Sequence, residues 1–532
     1  MFEARIDFAD LGAPVGSTSG GIAFGGSWIR PYPHRLLRHA YWDSPERLVV
    51  ASWERFRDEP ADLVRETGLN ERQVQERIDD TCGRLLDHGL IIIDRPSSTI
   101  RYRSSAAMTA PIYLLHRPDG VRIDWDYARL LAGLPLAIDL GKALMPVALM
   151  SAFGAETMVR GLWRSAPGAT LTASPDGITI VMPEPIEYRG PQAVASGVDV
   201  EQTLFETMQA LLAARPLERD RTGIELSGGM DSALAGLATA HVLGDGVMSV
   251  GAQFDGSIGD AQRTRRRFLC EKGDFDDLEL PAGRFAPFAP ASLRRRPLGV
   301  WPEDENFPEI FEAIFAVLQA AGIDALVNGL GGDELYFAYQ GEDDHAATQT
   351  DFSPYLTDRG RALARSAATQ YPRGWLQDSC WLGAAAQTQR ALRYGVWPIY
   401  PYHSPALAKF VGHLPWEHRR DRRLLRRTLT RVTGDPMFEH GYEKETFRPV
   451  AFRGTRENRV WLIDLLRRST WLDPLYVDVD RAIADLERDP EDLPIGDFNS
   501  LSILLRVCSF FQPGEVPVEV MIASTIETIP AE

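Results

Sequence analysis

The pattern of apolar and polar positions divides the chain into two parts. After residue 198, short apolar runs alternate with stretches of helical period. The predicted strands are 223–226, 247–254, 277–280 and 324–328, and the predicted helices are 200–213, 231–242, 260–271 and 308–321. Alternating strands and helices form a parallel sheet with helices on both faces, and ligands bind at the carboxyl ends of its strands. We expect an α/β domain over 198–532 whose second half, from about residue 349, is mostly helical.

The first 197 residues predict a separate α+β domain of short strands and a few helices. Pro-Asp-Gly turns at 118–120 and 175–177 predict two hairpins, within 112–123 and 170–182. A Pro- and Gly-rich linker, 183–197, ends this domain.

One segment of this first domain, 60–94, has a mixed pattern. Asn70 and Gln73 form an N-cap signal, Gly89 is expected to end the helix, and 90–93 is strand-like. The apolar face of this helix comprises Val74, Ile78, Cys82 and Leu85. The order of helix, helix and strand resembles a small winged-helix element, a type that binds leader peptides in peptide-modifying enzymes. A local structural subdomain is the alternative.

Composition narrows the class of protein. Of the 532 residues, 44% are hydrophobic and 25% are charged, which are ordinary globular values, and the net charge of −17 opposes nucleic-acid binding. Arginine clusters at 265–267 and 294–296 are interpreted as solvated basic faces, while the cluster at 419–427 is a candidate for phosphate contacts. No apolar run is long enough to span a membrane, and no secretory leader is visible, so we expect a cytoplasmic protein.

The four cysteines, Cys82, Cys270, Cys380 and Cys508, lack the close spacing of a metal or redox motif. We expect reduced, structural thiols.

A glycine-rich turn follows the first predicted strand of the α/β domain. In Ser-Gly-Gly-Met-Asp-Ser, the glycines Gly228 and Gly229 let backbone N–H groups approach an anion closely, and the following helix start adds partial positive charge. Asp231 supplies a carboxylate where Mg²⁺ could bridge it to phosphates. No Walker A or Gly-x-Gly-x-x-Gly motif is present. The turn resembles the pyrophosphate loop of ATP pyrophosphatases, which cleave ATP between the α- and β-phosphates; a turn without a ligand is the alternative.

A second glycine-rich motif, 328–335, follows the predicted strand that ends near residue 328. If this strand neighbours the first, Asp333 faces the same crevice as Asp231, and the two carboxylates could share Mg²⁺ bound to a triphosphate. A helix N-cap is the alternative role for Asp333.

The pair of motifs resembles the synthetase domain of the asparagine synthetase superfamily. Residues 161–170 are similar to the family's linker after its glutaminase-like domain, and 398–447 keeps the family's order of a Pro-rich turn, an apolar helix, a basic helix and a lysine motif. The resemblance is good over about 155–450 and weak outside it. It implies that Asp231 and Asp333 hold Mg²⁺ and that Lys444 is the catalytic lysine, with a surface lysine as the alternative. The implied ATP-binding residues are Leu226, Ser227, Gly228, Gly229, Asp231, Ser232, Val250, Gly251, Gly329, Leu330 and Gly331.

Two departures from the family pattern shift the expected reaction. Phe2 stands where glutamine-dependent members have a nucleophilic cysteine, and Leu330 stands where several members have a polar residue. The first domain is therefore expected to be a degenerate glutaminase-like domain, and the chain looks most like a lasso-peptide cyclase. Such an enzyme adenylates a side-chain carboxylate of a peptide, which the peptide's own amine then attacks to give a macrolactam, AMP and pyrophosphate.

The resemblance also implies candidate partners, namely a peptide or a small amino-acid-like substrate, a leader-peptide recognition protein and a leader protease. Two other functions stay open. One is an amide or β-lactam-type synthetase for a small amino acid, and the other is a non-catalytic peptide-binding scaffold.

Overall fold

The computed structural model describes residues 1–150, 153–183, 191–303, 307–336, 353–368, 376–440, 442, 444–512 and 518–521. At its centre lies a sheet of five parallel strands. In spatial order these are Asp276–Pro281, Met248–Gln253, Thr222–Glu225, Ala325–Val327 and Trp397–Ile399. The predicted α/β class is confirmed to this extent, because four of the strands lie within two residues of their predicted bounds. The fifth strand falls in the part that was predicted to be mostly helical.

Helices cover both faces of the parallel sheet. Ala325 and Val327 pack into one apolar cluster, whereas Leu326 between them packs into another, because successive side chains of a strand point to opposite faces. The helices of this region are Val200–Ala213, Met230–Leu243, Gly256–Gly273 and Pro308–Ala320, all close to their predicted positions. Both layers of the predicted arrangement are thus present.

The C-terminal part is helical apart from the fifth parallel strand and one short terminal strand, in the residues that the structure describes. Its helices are Asp358–Ala368, Asp378–Arg393, Pro405–His413, Trp416–Arg419, Arg423–Thr433, Arg448–Glu457, Arg459–Arg468, Val479–Glu487 and Ile495–Phe510. Near the end of the chain, strand Val518–Met521 pairs in parallel with Leu136–Asp139 of the N-terminal part.

The N-terminal part contains two seven-stranded sheets that are antiparallel except for one pair of strands. One sheet has the order Leu162–Arg164, Tyr113–Arg117, Gly120–Asp124, Phe2–Asp7, Ser27–Pro31, Gly21–Phe24 and Val15–Thr18. The other has the order Gly177–Val181, Thr170–Ser174, Thr99–Ser104, His88–Asp94, Arg47–Glu54, Leu37–Asp43 and Val64–Thr67. The helices of this part are Glu71–Cys82, Tyr127–Leu131 and Leu140–Leu149. Both predicted hairpins are present.

The predicted order of helix, helix and strand in 60–94 is wrong. The segment has one helix, Glu71–Cys82, between strands Val64–Thr67 and His88–Asp94 of the second sheet. The capping box of Asn70 and Gln73 is confirmed, but the helix ends before Gly83, and Gly89 lies inside the second strand. The segment is therefore part of a large sheet, because its apolar run of isoleucines is buried between neighbouring strands rather than forming a separate element.

A buried ion pair joins the N-terminal part to the parallel sheet. The Glu54 carboxylate pairs with Arg215 at 2.7 Å and accepts hydrogen bonds from Arg215 Nε at 3.0 Å and from the Trp397 indole at 2.7 Å. All three side chains are buried. Such a pair is costly to break, because either partner alone would leave an uncompensated charge in the interior.

A second contact between these parts lies at Asp324, directly before a parallel strand. Its carboxylate pairs with Arg35 at 2.8 Å and also contacts Arg221. No helix among the described residues is long and apolar enough to cross a membrane.

We expect Glu54→Gln to lower the free energy of unfolding by about 3 kcal/mol, because Arg215 would keep its charge in the interior without a carboxylate. Urea denaturation followed by circular dichroism measures the change. The control is Asp220→Asn, which removes one partner of the exposed pair with Arg219 and should leave the free energy of unfolding almost unchanged, because water screens exposed charges. Equal effects of the two substitutions would contradict the assigned role of the Glu54 pair.

Candidate active site

The turn of the first motif connects strand Thr222–Glu225 to helix Met230–Leu243. Gly228 has φ +84°, a left-handed conformation that favours glycine. The Ser227 and Ser232 hydroxyl oxygens lie 3.0 Å apart, and the Gly229 N–H donates to the Ser227 hydroxyl at 3.2 Å. The two serines of the motif therefore stabilise the turn itself.

Helix Gly256–Gly273 holds this turn from one side. The Gln262 amide donates to the Ser227 carbonyl at 2.8 Å, the Arg265 guanidinium donates to the Gly228 carbonyl at 3.0 Å, and Arg266 donates to the Leu226 carbonyl. All three of these side chains are buried. The interpretation of 265–267 as a solvated basic face is therefore wrong for Arg265 and Arg266, which fix the conformation of the turn. Only the charge of these arginines can be read from the sequence, because their contacts depend on tertiary packing.

Three residues predicted to bind nucleotide lie beneath the turn. Leu226 and Val250 have fully buried side chains, and the Leu226 N–H donates to the Val250 carbonyl at 2.9 Å. Gly251 lies so close to the Leu226 carbonyl and the Arg266 guanidinium that a Cβ would overlap them. These positions support the turn through packing and backbone contacts.

The turn of the second motif contacts the first directly. Strands Thr222–Glu225 and Ala325–Val327 are parallel neighbours, so the turns at their carboxyl ends meet. A Cβ on Gly329 would lie 2.5 Å from the Ser232 backbone nitrogen, and one on Gly332 would overlap the Asp231 carboxylate. The missing side chains are what allow this approach.

The remaining residues of the second motif shape its turn. Gly331 has φ +94°, and the Leu330 N–H donates to the Asn328 side chain at 2.8 Å. The Asn328 amide in turn donates to Gln387 at 2.6 Å. The turn is thus tied to helix Asp378–Arg393 behind it.

Four charged side chains meet where the turns touch. Arg422 lies between the two carboxylates, with its Nη1 3.1 Å from Asp231 Oδ2 and in contact with Asp333 Oδ1. Lys444 Nζ lies 2.5 Å from Asp333 Oδ2. The structure thus brings together Asp231, Asp333 and Lys444, as the sequence predicted, and adds Arg422 as the residue of cluster 419–427 that reaches the site.

The segment that carries Lys444 is attached to the first turn by its neighbours. Glu445 forms an ion pair with Arg265, whose guanidinium also lies over the Tyr442 ring, 5.0 Å from its centroid. Lys444 is itself 63% exposed, yet both described residues beside it in the motif are anchored. Glu443 lies outside the described residues. The arrangement explains how a distant segment delivers an amine to Asp333.

The two carboxyl groups differ in their electrostatic surroundings. Burial raises the pKa of Asp231 from 3.8 to about 8, and the nearby Asp333 carboxylate adds to this shift, while Arg422 and Lys444 oppose it. Burial also acts to raise the pKa of Asp333, but Arg422 and Lys444 outweigh it and hold that pKa below 3.8. Asp333 therefore carries the negative charge more readily than Asp231 in this arrangement.

The donor set fits a magnesium ion that arrives with a nucleotide. Asp231 Oδ1 is buried and has no hydrogen-bond partner among the described residues. No group of three or more metal-ligating side chains occurs in the part of the chain that the structure describes. Mg²⁺ is commonly held by one or two carboxylates together with phosphate oxygens and water, so Asp231 and Asp333 would be sufficient protein ligands.

No protein-family model matches the chain, and the search of curated proteins finds no similar protein.

We expect Asp231→Asn to make stability less dependent on pH. Because the pKa of Asp231 is higher in the folded than in the unfolded protein, the folded state holds more protons between about pH 4 and 8, and stability falls as pH rises through this range. The variant lacks this group, so its melting temperature relative to wild type should increase between pH 5 and pH 8.5, by roughly 2 °C or more. Differential scanning calorimetry measures it.

The control is Asp260→Asn, which removes an exposed carboxylate. The difference between its melting temperature and that of wild type should stay constant across this pH range. A constant difference between Asp231→Asn and wild type from pH 5 to 8.5 would contradict the elevated pKa of Asp231.

Proposed function

We propose that this protein is an ATP-dependent, AMP-forming amide synthetase. The observation that carries the proposal is the meeting of Asp231, Asp333, Arg422 and Lys444 at the carboxyl ends of two neighbouring parallel strands. This edge is where α/β sheets bind their ligands, and the first turn combines glycines with a helix N-terminus, as phosphate sites do. The resemblance of both motifs to the asparagine synthetase superfamily points to the same chemistry.

In the proposed reaction, a substrate carboxylate attacks the α-phosphorus of ATP and displaces pyrophosphate. An amine of the same substrate then attacks the activated carbonyl carbon, displaces AMP and loses a proton. The substrate loses one water in total. Magnesium held by Asp231 and Asp333 would neutralise phosphate charge when bound.

The cations of the site have distinct proposed roles. Lys444 is long and partly exposed, so its ammonium group can stabilise negative charge that grows around the α-phosphate during both steps. Arg422 bridges the carboxylates and balances their charge where two acids would otherwise repel each other. Together the two cations suit a site that handles a polyanionic substrate.

The attacking amine is proposed to come from the substrate rather than from glutamine. Phe2 is fully buried in strand Phe2–Asp7 and packs edge-on against Tyr102. Cys82 is the one cysteine in residues 1–197, and burial raises the pKa of its thiol, which disfavours the thiolate that a glutaminase needs. An intramolecular amine fits the lasso-type macrolactam that the resemblance implies.

The reaction is tested with purified protein, ATP, Mg²⁺ and candidate precursor peptides, prepared with and without their leader. Mass spectrometry should show a product lighter by one water, and chromatography should show one AMP and one pyrophosphate for each product. Small amino acids are assayed in parallel, because turnover with these alone would shift the function to a small-molecule amide synthetase. ADP as the nucleotide product would overturn the proposed mechanism.

We expect Lys444→Ala to lower kcat by roughly 10²- to 10³-fold, the range seen when one donor to transition-state charge is removed. The measurement is the rate of pyrophosphate release at saturating substrate. Lys409→Ala, which removes an exposed lysine of helix Pro405–His413, is the matched control and should keep full activity. If Lys444→Ala keeps the wild-type kcat, the proposed role of Lys444 is wrong and it is a surface residue.

A further inference from the structure

A cavity of about 480 Å³ adjoins the site and shares Lys444 with it. We call it the Lys444 cavity. Its walls come from four parts of the chain, represented by Phe288, Phe307, Phe447 and Phe498. The volume lies within the range of pockets for small ligands, about 300–1,000 Å³, so it suits a short segment of a substrate.

Aromatic side chains form preorganised walls of the Lys444 cavity. Phe307 stacks on Phe447 with ring centroids 3.9 Å apart, and Phe447 meets Phe254 edge-on at 4.7 Å. On another wall, Phe498 packs edge-on against Phe452 at 4.7 Å. Because these rings hold one another in place, the cavity presents a fixed apolar surface.

Polar groups without protein partners also line the Lys444 cavity. Asn499 and Ser502 lie three residues apart on helix Ile495–Phe510, hence on one helix face. Both are half-buried, and neither side chain makes a hydrogen bond to another described residue. Half-buried polar groups without a protein partner can bond to water, and a ligand with matching polar groups can displace that water.

The charge of the lining favours an anion. Among the described lining residues, Lys444, Arg294, Arg448 and Arg506 are cationic, and Glu445 is the one acid. Three of these side chains are already paired, Glu445 with Arg265, Arg294 with Glu309 and Lys444 with Asp333. The Arg448 guanidinium forms no ion pair with any residue that the structure describes. Arg448 therefore offers positive charge beside the aromatic surface of the Lys444 cavity.

We propose that the Lys444 cavity binds the part of the substrate that carries the reacting carboxylate, as a short acidic segment with an apolar or aromatic side chain. The carboxylate would lie toward Lys444, and the apolar side chain would pack on the phenyl rings, with Asn499 and Ser502 bonding its peptide groups. This assignment of the natural occupant rests on the proposed function. The ligand class follows from the cavity alone.

The test uses two fluorescent probes in the absence of ATP. One is 8-anilinonaphthalene-1-sulfonate, an aromatic anion, and the other is N-phenyl-1-naphthylamine, which has the same rings without the charge. Ser502→Trp should fill the cavity and weaken both probes at least tenfold. Arg448→Gln removes the charge of an exposed side chain. It should weaken binding of the anionic probe about tenfold and leave binding of the neutral probe unchanged.

The matched control is Val460→Trp, which places the same ring at an exposed position outside the cavity and should bind both probes as wild type does. Circular dichroism and ATP binding are compared for all variants. If Ser502→Trp fails to fold, the affinities of Arg448→Gln for the two probes test the inference. Wild-type affinity for the anionic probe in both cavity variants would overturn the inference.

Turnover separates this inference from the proposed function. With an active carboxylate substrate, Ser502→Trp should raise KM at least tenfold while ATP binding stays unchanged. If pyrophosphate release keeps its wild-type KM, the Lys444 cavity is not the substrate site and the synthetase function stands. If the probes bind as expected and no carboxylate drives pyrophosphate release, the synthetase function and the natural occupant fail, while the ligand class stands.

Discussion

The site depends on direct contact between two glycine turns at the ends of neighbouring strands. Parallel strands lie about 4.8 Å apart, so the turns that follow them can meet only where side chains are missing. Gly329 and Gly332 supply these gaps opposite the backbone of Ser232 and the carboxylate of Asp231. A single added methyl group at either glycine would separate the turns and, with them, the two acids. The glycines of the second motif are thus explained by packing before any ligand is considered.

This contact creates an electrostatic problem that the helical C-terminal part resolves. Two carboxylates side by side repel each other, and Arg422 and Lys444 supply the compensating charges from segments about 90 and 110 residues further along the chain. Asp421 and Arg422 both have left-handed backbone conformations, with φ of 52° and 54°, which are costly for residues other than glycine. Arg422 directly precedes helix Arg423–Thr433 and contacts both carboxylates from this position.

Local pattern was sufficient for four of the five strands of the parallel sheet and insufficient for the residues that support the site. The alternation of strands and helices, the capping box at Asn70 and both glycine turns depend on neighbours in sequence, so they could be predicted. Arg265 and Arg266 look like any basic helix face until the turn packs against them. The short strand Trp397–Ile399 contains a proline and has too few residues to show a period, and the sheet edge beside it decides its conformation. The winged-helix prediction failed for the related reason that strand His88–Asp94 pairs with distant strands.

The N-terminal sheets contact the parallel sheet at the end opposite the site. Trp397, which bonds to Glu54, is the first residue of its strand, and Asp324, which pairs with Arg35, directly precedes the neighbouring strand. The backbone N–H of Trp397 also donates to the Asp324 carbonyl at 2.7 Å, so the contacts of Glu54 and Arg35 with the sheet are linked. The amino ends of both strands are therefore fixed by charge and hydrogen bonds, while their carboxyl ends stay available to ligands. In this arrangement, the N-terminal part fixes the end of the parallel sheet that lies away from the candidate site.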